Sequence, residues 1–142
     1  MSKPYVFWDA SALVPLCVTQ AKTKDAFGML RRFRVVAWWA TPVEITSALM
    51  RLLREGGISA SDYTKAQLQV ERHVAQWRVV APTAQVAAEA RTVLERFPLR
   101  AADAMQLAAA LTWCGGKPRG RVFVTFDQKL GQAAESAGFT LA

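Results

Sequence analysis

Tyr5-Val6-Phe7-Trp8-Asp9 is the stretch that decides the fold: four apolar residues, β-branched or aromatic, run without interruption into an acid. A run this short, with no polar residue inside it, reads as a strand buried on both faces. The pattern returns at Val35 to Trp39, Val79 to Ala81, Val122 to Phe126 and Phe139 to Leu141. Like the first run, Val122 to Phe126 stops at an acid, Asp127. Between the runs the apolar spacing changes from two to about 3.6 residues. Ile45, Ala48, Leu49 and Leu52 form one stripe, and Tyr63, Ala66, Val70, Val74 and Trp77 a second. Val86, Ala90, Val93 and Phe97 form another, and Leu130, Ala133, Ala134 and Ala137 the last. Strands alternating with helices need crossover connections, so the expected fold is α/β, a largely parallel five-stranded sheet covered on both faces.

Punctuation agrees with that division. Gly56-Gly57 stops a helix, Ser59 or Ser61 can cap the next one, and the basic loop Gly115-Gly116-Lys117-Pro118-Arg119-Gly120 separates a helix from a strand. That loop could touch a phosphate backbone. No repeat or linker divides the 142 residues, which suit one domain over residues 1–142. No uncharged apolar run approaches the roughly 18 to 20 residues that cross a bilayer. The amino-terminal apolar run meets a charge after four residues, which offers no signal-peptide core, so a cytoplasmic location is expected. Cys17 and Cys114, without ligand-type spacing, read as buried free thiols.

Asp9 and Asp127 each stand at the end of an apolar run and before a helical segment. Either acid alone is an ordinary helix cap. Thr41-Pro42-Val43-Glu44 matches a capping box, with Thr41 at the cap and Glu44 reaching back. Asp103 sits in Ala101-Ala102-Asp103-Ala104-Met105-Gln106-Leu107, a segment apolar nearly all round. A carboxylate there must be neutralised, paired with Arg100 or another base, or bound to a metal. Together the four acids fall where an open α/β sheet forms its ligand crevice, at strand ends and early helical turns. Clustered carboxylates repel unless a divalent cation compensates them, and an oxygen-only ligand set favours Mg²⁺ or Mn²⁺ over zinc.

Other chemistries lack their residues. His73 is the only histidine and reads as a helix-edge residue, so neither a two-imidazole nuclease nor a Ser or Cys triad is well supplied. No Walker-type loop occurs, and Gly115-Gly116 follows a helix, the wrong context for a dinucleotide fingerprint. The formal net charge is +7; with the four acids set aside, 18 bases face 7 remaining acids, a balance of +11. An acidic pocket in a basic surround suits a polyanion held by its backbone while one phosphate reacts.

Trp8-Asp9-Ala10-Ser11-Ala12-Leu13, Pro42-Val43-Glu44-Ile45, Leu99-Arg100-Ala101-Ala102-Asp103-Ala104 and Phe123-Val124-Thr125-Phe126-Asp127 resemble, in order and spacing, the four acidic motifs of the PIN-domain family. The pattern is most similar to the family's VapC-type toxins of bacterial toxin–antitoxin pairs. That resemblance, which spans essentially the whole chain, implies a three-layer α/β/α fold and Mg²⁺- or Mn²⁺-dependent endoribonuclease activity. It also implies frequent homodimerisation and inhibition by a cognate antitoxin. Asp9, Glu44, Asp103 and Asp127 would then be metal ligands and catalytic residues, with Ser11 and Thr125 supporting the site. Ordinary hydroxyl capping is the alternative for Ser11 and Thr125.

Two other functions compete. A housekeeping PIN nuclease would act without an antitoxin, and a linked small upstream gene would separate the two. A signalling receiver module also gathers acids around Mg²⁺, but needs adjacent acids after its first strand and a strand-end lysine. Here Asp9 is followed by Ala10 and Ser11, and Lys129 falls inside a helical turn. The 52% hydrophobic content and five tryptophans suggest an apolar patch covered by a second copy or an antitoxin.

Overall fold

The computed structural model describes residues 2–142. In chain order its elements are β1 (Tyr5–Trp8), α1 (Ala10–Cys17), α2 (Thr23–Arg32), β2 (Arg34–Trp38), α3 (Thr41–Arg54) and α4 (Ala60–Val74), followed by β3 (Arg78–Val80), α5 (Ala84–Arg96), α6 (Ala101–Trp113), β4 (Val122–Val124), α7 (Gln128–Ala137) and β5 (Thr140–Leu141). The strands form one sheet in the order β3-β2-β1-β4-β5, every pair parallel.

Strand alternation explains the three layers, because successive side chains point to opposite faces. Phe7, Val36, Trp38 and Phe123 pack with the stripes of α5, α6 and α7. Val6, Trp8, Val35, Ala37 and Val124 pack on the other face, with α1, α3 and α4. The central strands are thus buried on both sides, as their uninterrupted apolar sequences demand. Phe7, Trp8 and Phe123 are fully buried, and the Phe7 and Phe123 rings stack with centroids 5.3 Å apart. Each such side chain contributes about 1.5 to 3 kcal/mol by burial, and the stacked pair roughly 1 kcal/mol more.

Several boundaries differ from the expected runs. β2 and β3 each begin one residue earlier, at Arg34 and Arg78, and β4 stops at Val124 rather than Phe126. The early end of β4 has a local cause: Phe126 N donates to Ser11 Oγ and Asp127 N to Thr125 Oγ1, so this backbone bonds to side chains and leaves the ladder. Phe139 precedes β5 but is still buried.

Ser59 caps α4 in a reciprocal capping box with Asp62, as the serine-rich punctuation suggested. The capping box expected at Thr41 to Glu44 is not formed. Ala40 occupies the cap position without a side-chain bond, and Thr41 is the first helical residue, fully buried. Both Thr41 and Glu44 instead accept hydrogen bonds from Gln106 on α6, so a tertiary contact displaces the local one.

The basic loop enters β4 from its amino end, the end of the strand away from Asp127. Its Pro118 lies against Gly138, which ends α7 with φ +118°; a Cβ there would come 2.9 Å from Pro118 Cγ. The loop therefore packs against the end of α7, at the end of the sheet away from the acids. No helix of the described residues is long and apolar enough to cross a membrane.

Candidate active site

The crossovers carry the acids to one end of the sheet. Asp9 follows β1, Asp127 follows the end of β4, and Glu44 lies in the first turn of α3, just after β2. Asp103 lies in the first turn of α6, reached from β3 through α5. Asp9 caps α1 by accepting from Ala12 N, and Asp127 caps α7 by accepting from Leu130 N. The capping reading is thus correct for both, and it is compatible with a further role.

Asp9 is 3% exposed and held by side chains from α1 and from the segment that follows β4. Ser11 Oγ donates to its carboxylate at 2.8 Å and Thr125 Oγ1 at 2.9 Å, while Ala12 N donates at 3.2 Å. Both hydroxyls are themselves aimed by backbone donors, Phe126 N to Ser11 Oγ at 2.9 Å and Asp127 N to Thr125 Oγ1 at 3.0 Å. Two relays therefore fasten the acid after β1 to the backbone after β4. Burial still prevails over these donors: the Asp9 carboxyl is pushed up to about 7, with the Asp127 charge adding a smaller push.

Glu44 is half-buried and accepts from Gln106 Nε2 at 2.6 Å. Burial, helped by the charge of Asp103, pushes its carboxyl up to about 7 even so. Asp103 is also raised, first by burial and then by Asp127, with Arg100 pulling weakly the other way. Arg100 does not form an ion pair with it: the one salt bridge among the described residues joins Lys22 and Asp25 at 3.8 Å. The pairing considered for Asp103 is therefore absent, and the acids act electrostatically on one another without a basic partner in contact.

The donor set suits a hard divalent cation, being carboxylate oxygen throughout. Among the described residues no three His, Cys, Asp or Glu side chains are gathered closely enough to hold an ion as they stand. The residues fit the ion in chemistry and charge.

His73 lies away from this end. It is half-buried on α4 and lines a cavity of about 430 Å³ with Lys3, Tyr5 and Arg34, beside the amino ends of β1 and β2. Cys17 and Cys114 are buried and free. Gln106 was not singled out from the sequence. A single amide in an apolar helix, three residues after an acid, was the available signal.

A parallel β3-β2-β1-β4-β5 sheet between two helical layers, with acids at its carboxyl end, defines a class that comparison with known proteins makes specific. The chain belongs to the PIN domain family, whose model matches residues 6–136. Ribonucleases VapC45 and VapC49 of Mycobacterium tuberculosis are each 32% identical to it over 141 residues, covering 98% of this chain and 95% of theirs. Among solved structures it is similar to M. tuberculosis VapC20, described as a Sarcin-Ricin loop cleaving toxin, with a TM-score of 0.69 at 19% identity over 95% of this chain and 96% of that one. It is also similar to FitAcB of Neisseria gonorrhoeae, with a TM-score of 0.65 at 16% identity and the same coverage. At those identities the likeness is one of fold, and it agrees with the three-layer architecture expected from the sequence.

Proposed function

We propose that this protein is a divalent-metal-dependent endoribonuclease and the toxin of a type II toxin–antitoxin pair. The observation that carries the reading is a set of acids, Asp9, Glu44 and Asp103, raised by burial and by neighbouring carboxylates with no base in ion-pair contact. Such a set is poised for a cation, and strongly perturbed groups at a sheet's carboxyl end are a mark of function. Asp9, Glu44, Asp103 and Asp127 would hold Mg²⁺ or Mn²⁺, which supplies Lewis acidity and compensating charge toward a phosphodiester. Ser11 and Thr125 keep the Asp9 carboxylate oriented, and the basic balance of the remaining surface attracts the RNA backbone.

The names of the relatives support RNA as substrate, and a solved VapBC-1 structure from nontypeable Haemophilus influenzae and a toxin-antitoxin complex from Klebsiella pneumoniae, both similar in fold, support an antitoxin partner. Exposed Trp39 and Val43 at the start of α3, with Val79 on the edge strand β3, leave apolar surface that a homodimer would cover. A cytoplasmic setting follows from the RNA substrate. Sequencing RNA ends after induction, with and without the product of a small upstream gene, tests the reading. New ends at defined sites that vanish on co-expression are expected; unchanged RNA from active, folded protein would reject it.

A further inference from the structure

Gln106 is 1% exposed on the buried face of α6, between Ala104 and Leu107. An amide in such surroundings needs a partner for each polar atom. Its nitrogen has two: Nε2 donates to Thr41 Oγ1 at 3.1 Å and to Glu44 Oε2 at 2.6 Å. Both N–H bonds are used, so the amide plane is fixed by two points on α3. The carbonyl oxygen, Oε1, is buried with no donor at all.

That imbalance is informative. Turning the amide over would give Oε1 the Thr41 hydroxyl as a donor, but would set a carbonyl oxygen against the Glu44 carboxylate. The orientation present favours the carboxylate and leaves the oxygen unserved. An apolar side chain of the same shape would remove the orphan oxygen, but it would leave the fully buried Thr41 hydroxyl and Glu44 Oε2 without this donor. The other Glu44 oxygen, Oε1, accepts from no donor of the described residues and is left for another partner.

Position adds a second reason. Gln106 lies one helical turn after Asp103, and residues three apart share a face of a helix. Gln106 thus bonds Glu44 from the helix that bears Asp103, linking α3 to α6 beside two of the acids.

We propose that Gln106, anchored on Thr41, is the positioning residue that presents Glu44 to the divalent cation. The proposal rests on the metal-dependent reading of the site, and it concerns binding of the ion as much as turnover. Partners that orient a ligand from behind typically change metal affinity 10- to 100-fold when removed.

The test compares wild type with Gln106→Met, Gln106→His, Thr41→Val and Glu44→Gln by calorimetric titration with Mn²⁺ alone, by melting in EDTA, and by kcat and KM on a cleavable RNA. Gln106→Met is expected to melt modestly below wild type in EDTA, because loss of the orphan oxygen is offset by Thr41 Oγ1 and Glu44 Oε2 left without their donor. Its Mn²⁺ dissociation constant should rise roughly 10- to 100-fold, with kcat reduced and KM for RNA retained. Gln106→His keeps an N–H donor and should recover part of the loss; Thr41→Val should show a smaller fall in the same direction. A Gln106→Met variant that binds Mn²⁺ and turns over like wild type overturns the role of Gln106 alone. If that variant does not fold, wild-type Mn²⁺ affinity in Thr41→Val does the same. Wild-type protein that binds no Mn²⁺, or Glu44→Gln that binds it undiminished, removes Glu44 as a ligand and the proposal with it.

Discussion

Thr125 Oγ1 lies 2.9 Å from Asp9 Oδ2 across 116 positions of sequence, and the same oxygen accepts the Asp127 N–H at 3.0 Å. One hydroxyl thus ties a buried acid after β1 to the backbone of the acid after β4. Thr125→Val keeps the shape and removes both bonds. Leaving the Asp127 N–H and the buried Asp9 oxygen short of partners should cost about 1 to 3 kcal/mol in urea unfolding. Asp9 would also lose a donor that favours its ionised form, so the acid limb of the cleavage rate should move to higher pH. Unchanged stability and an unchanged pH profile would show the hydroxyl to be idle.

Raised acids make the metal-free protein sensitive to pH in a definite direction. The Asp9 and Glu44 carboxyls are lifted from ordinary values of 3.8 and 4.5 to about 7. Between those limits the unfolded chain has released protons that the folded chain still holds, so stability falls as pH rises. The contribution is fully present below about pH 4 and is lost as pH climbs through about 7. In EDTA the melting temperature should be higher at pH 5 than at pH 8, and Mn²⁺ should recover the loss at pH 8. Calorimetry showing the opposite slope in EDTA would contradict the origin assigned to these shifts.

Asp103→Asn separates a ligand from a scaffold acid. A carboxylate paired to a buried base would strand that base when neutralised, at a cost of roughly 3 to 5 kcal/mol. No such pair is formed by Asp103, whose carboxyl is raised by burial and by Asp127. At neutral pH the metal-free variant should therefore melt no lower than metal-free wild type, gain much less from Mn²⁺, and lose cleavage. A large drop in metal-free melting temperature with cleavage retained would return Asp103 to the scaffold.

Substrate affinity should weaken log-linearly with salt, because 18 bases face 7 acids outside the site. Filter binding to a catalytically inactive variant between low and physiological ionic strength measures the slope. A flat line would remove backbone steering from the account.

The strands were legible because a parallel strand buried on two faces cannot hide its composition: Val6-Phe7-Trp8 and Val35-Val36-Ala37 can be little else. The acids were legible as a set because each ends an apolar run or opens a helix. What sequence could not show was competition between local and distant partners. Thr41-Pro42-Val43-Glu44 has every residue of a capping box, yet both side chains bond 62 to 65 positions away, to Gln106. The end of β4 was read two residues late for a similar reason. Thr125 and Phe126 have strand-forming side chains, but the Phe126 and Asp127 N–H groups donate to the Ser11 and Thr125 hydroxyls and leave the ladder. Local spacing records what a residue can do alone, and those positions are decided by the other side of the sheet.

In the proposed mechanism these carboxylates work through a divalent cation. Its most direct test is cleavage of an end-labelled RNA by pure protein stripped with EDTA and then titrated with Mn²⁺. The expected result is loss of cleavage in EDTA and its return with Mn²⁺ in wild type, and no return in Asp9→Asn. Full cleavage in excess EDTA, or restoration in Asp9→Asn equal to wild type, would contradict it.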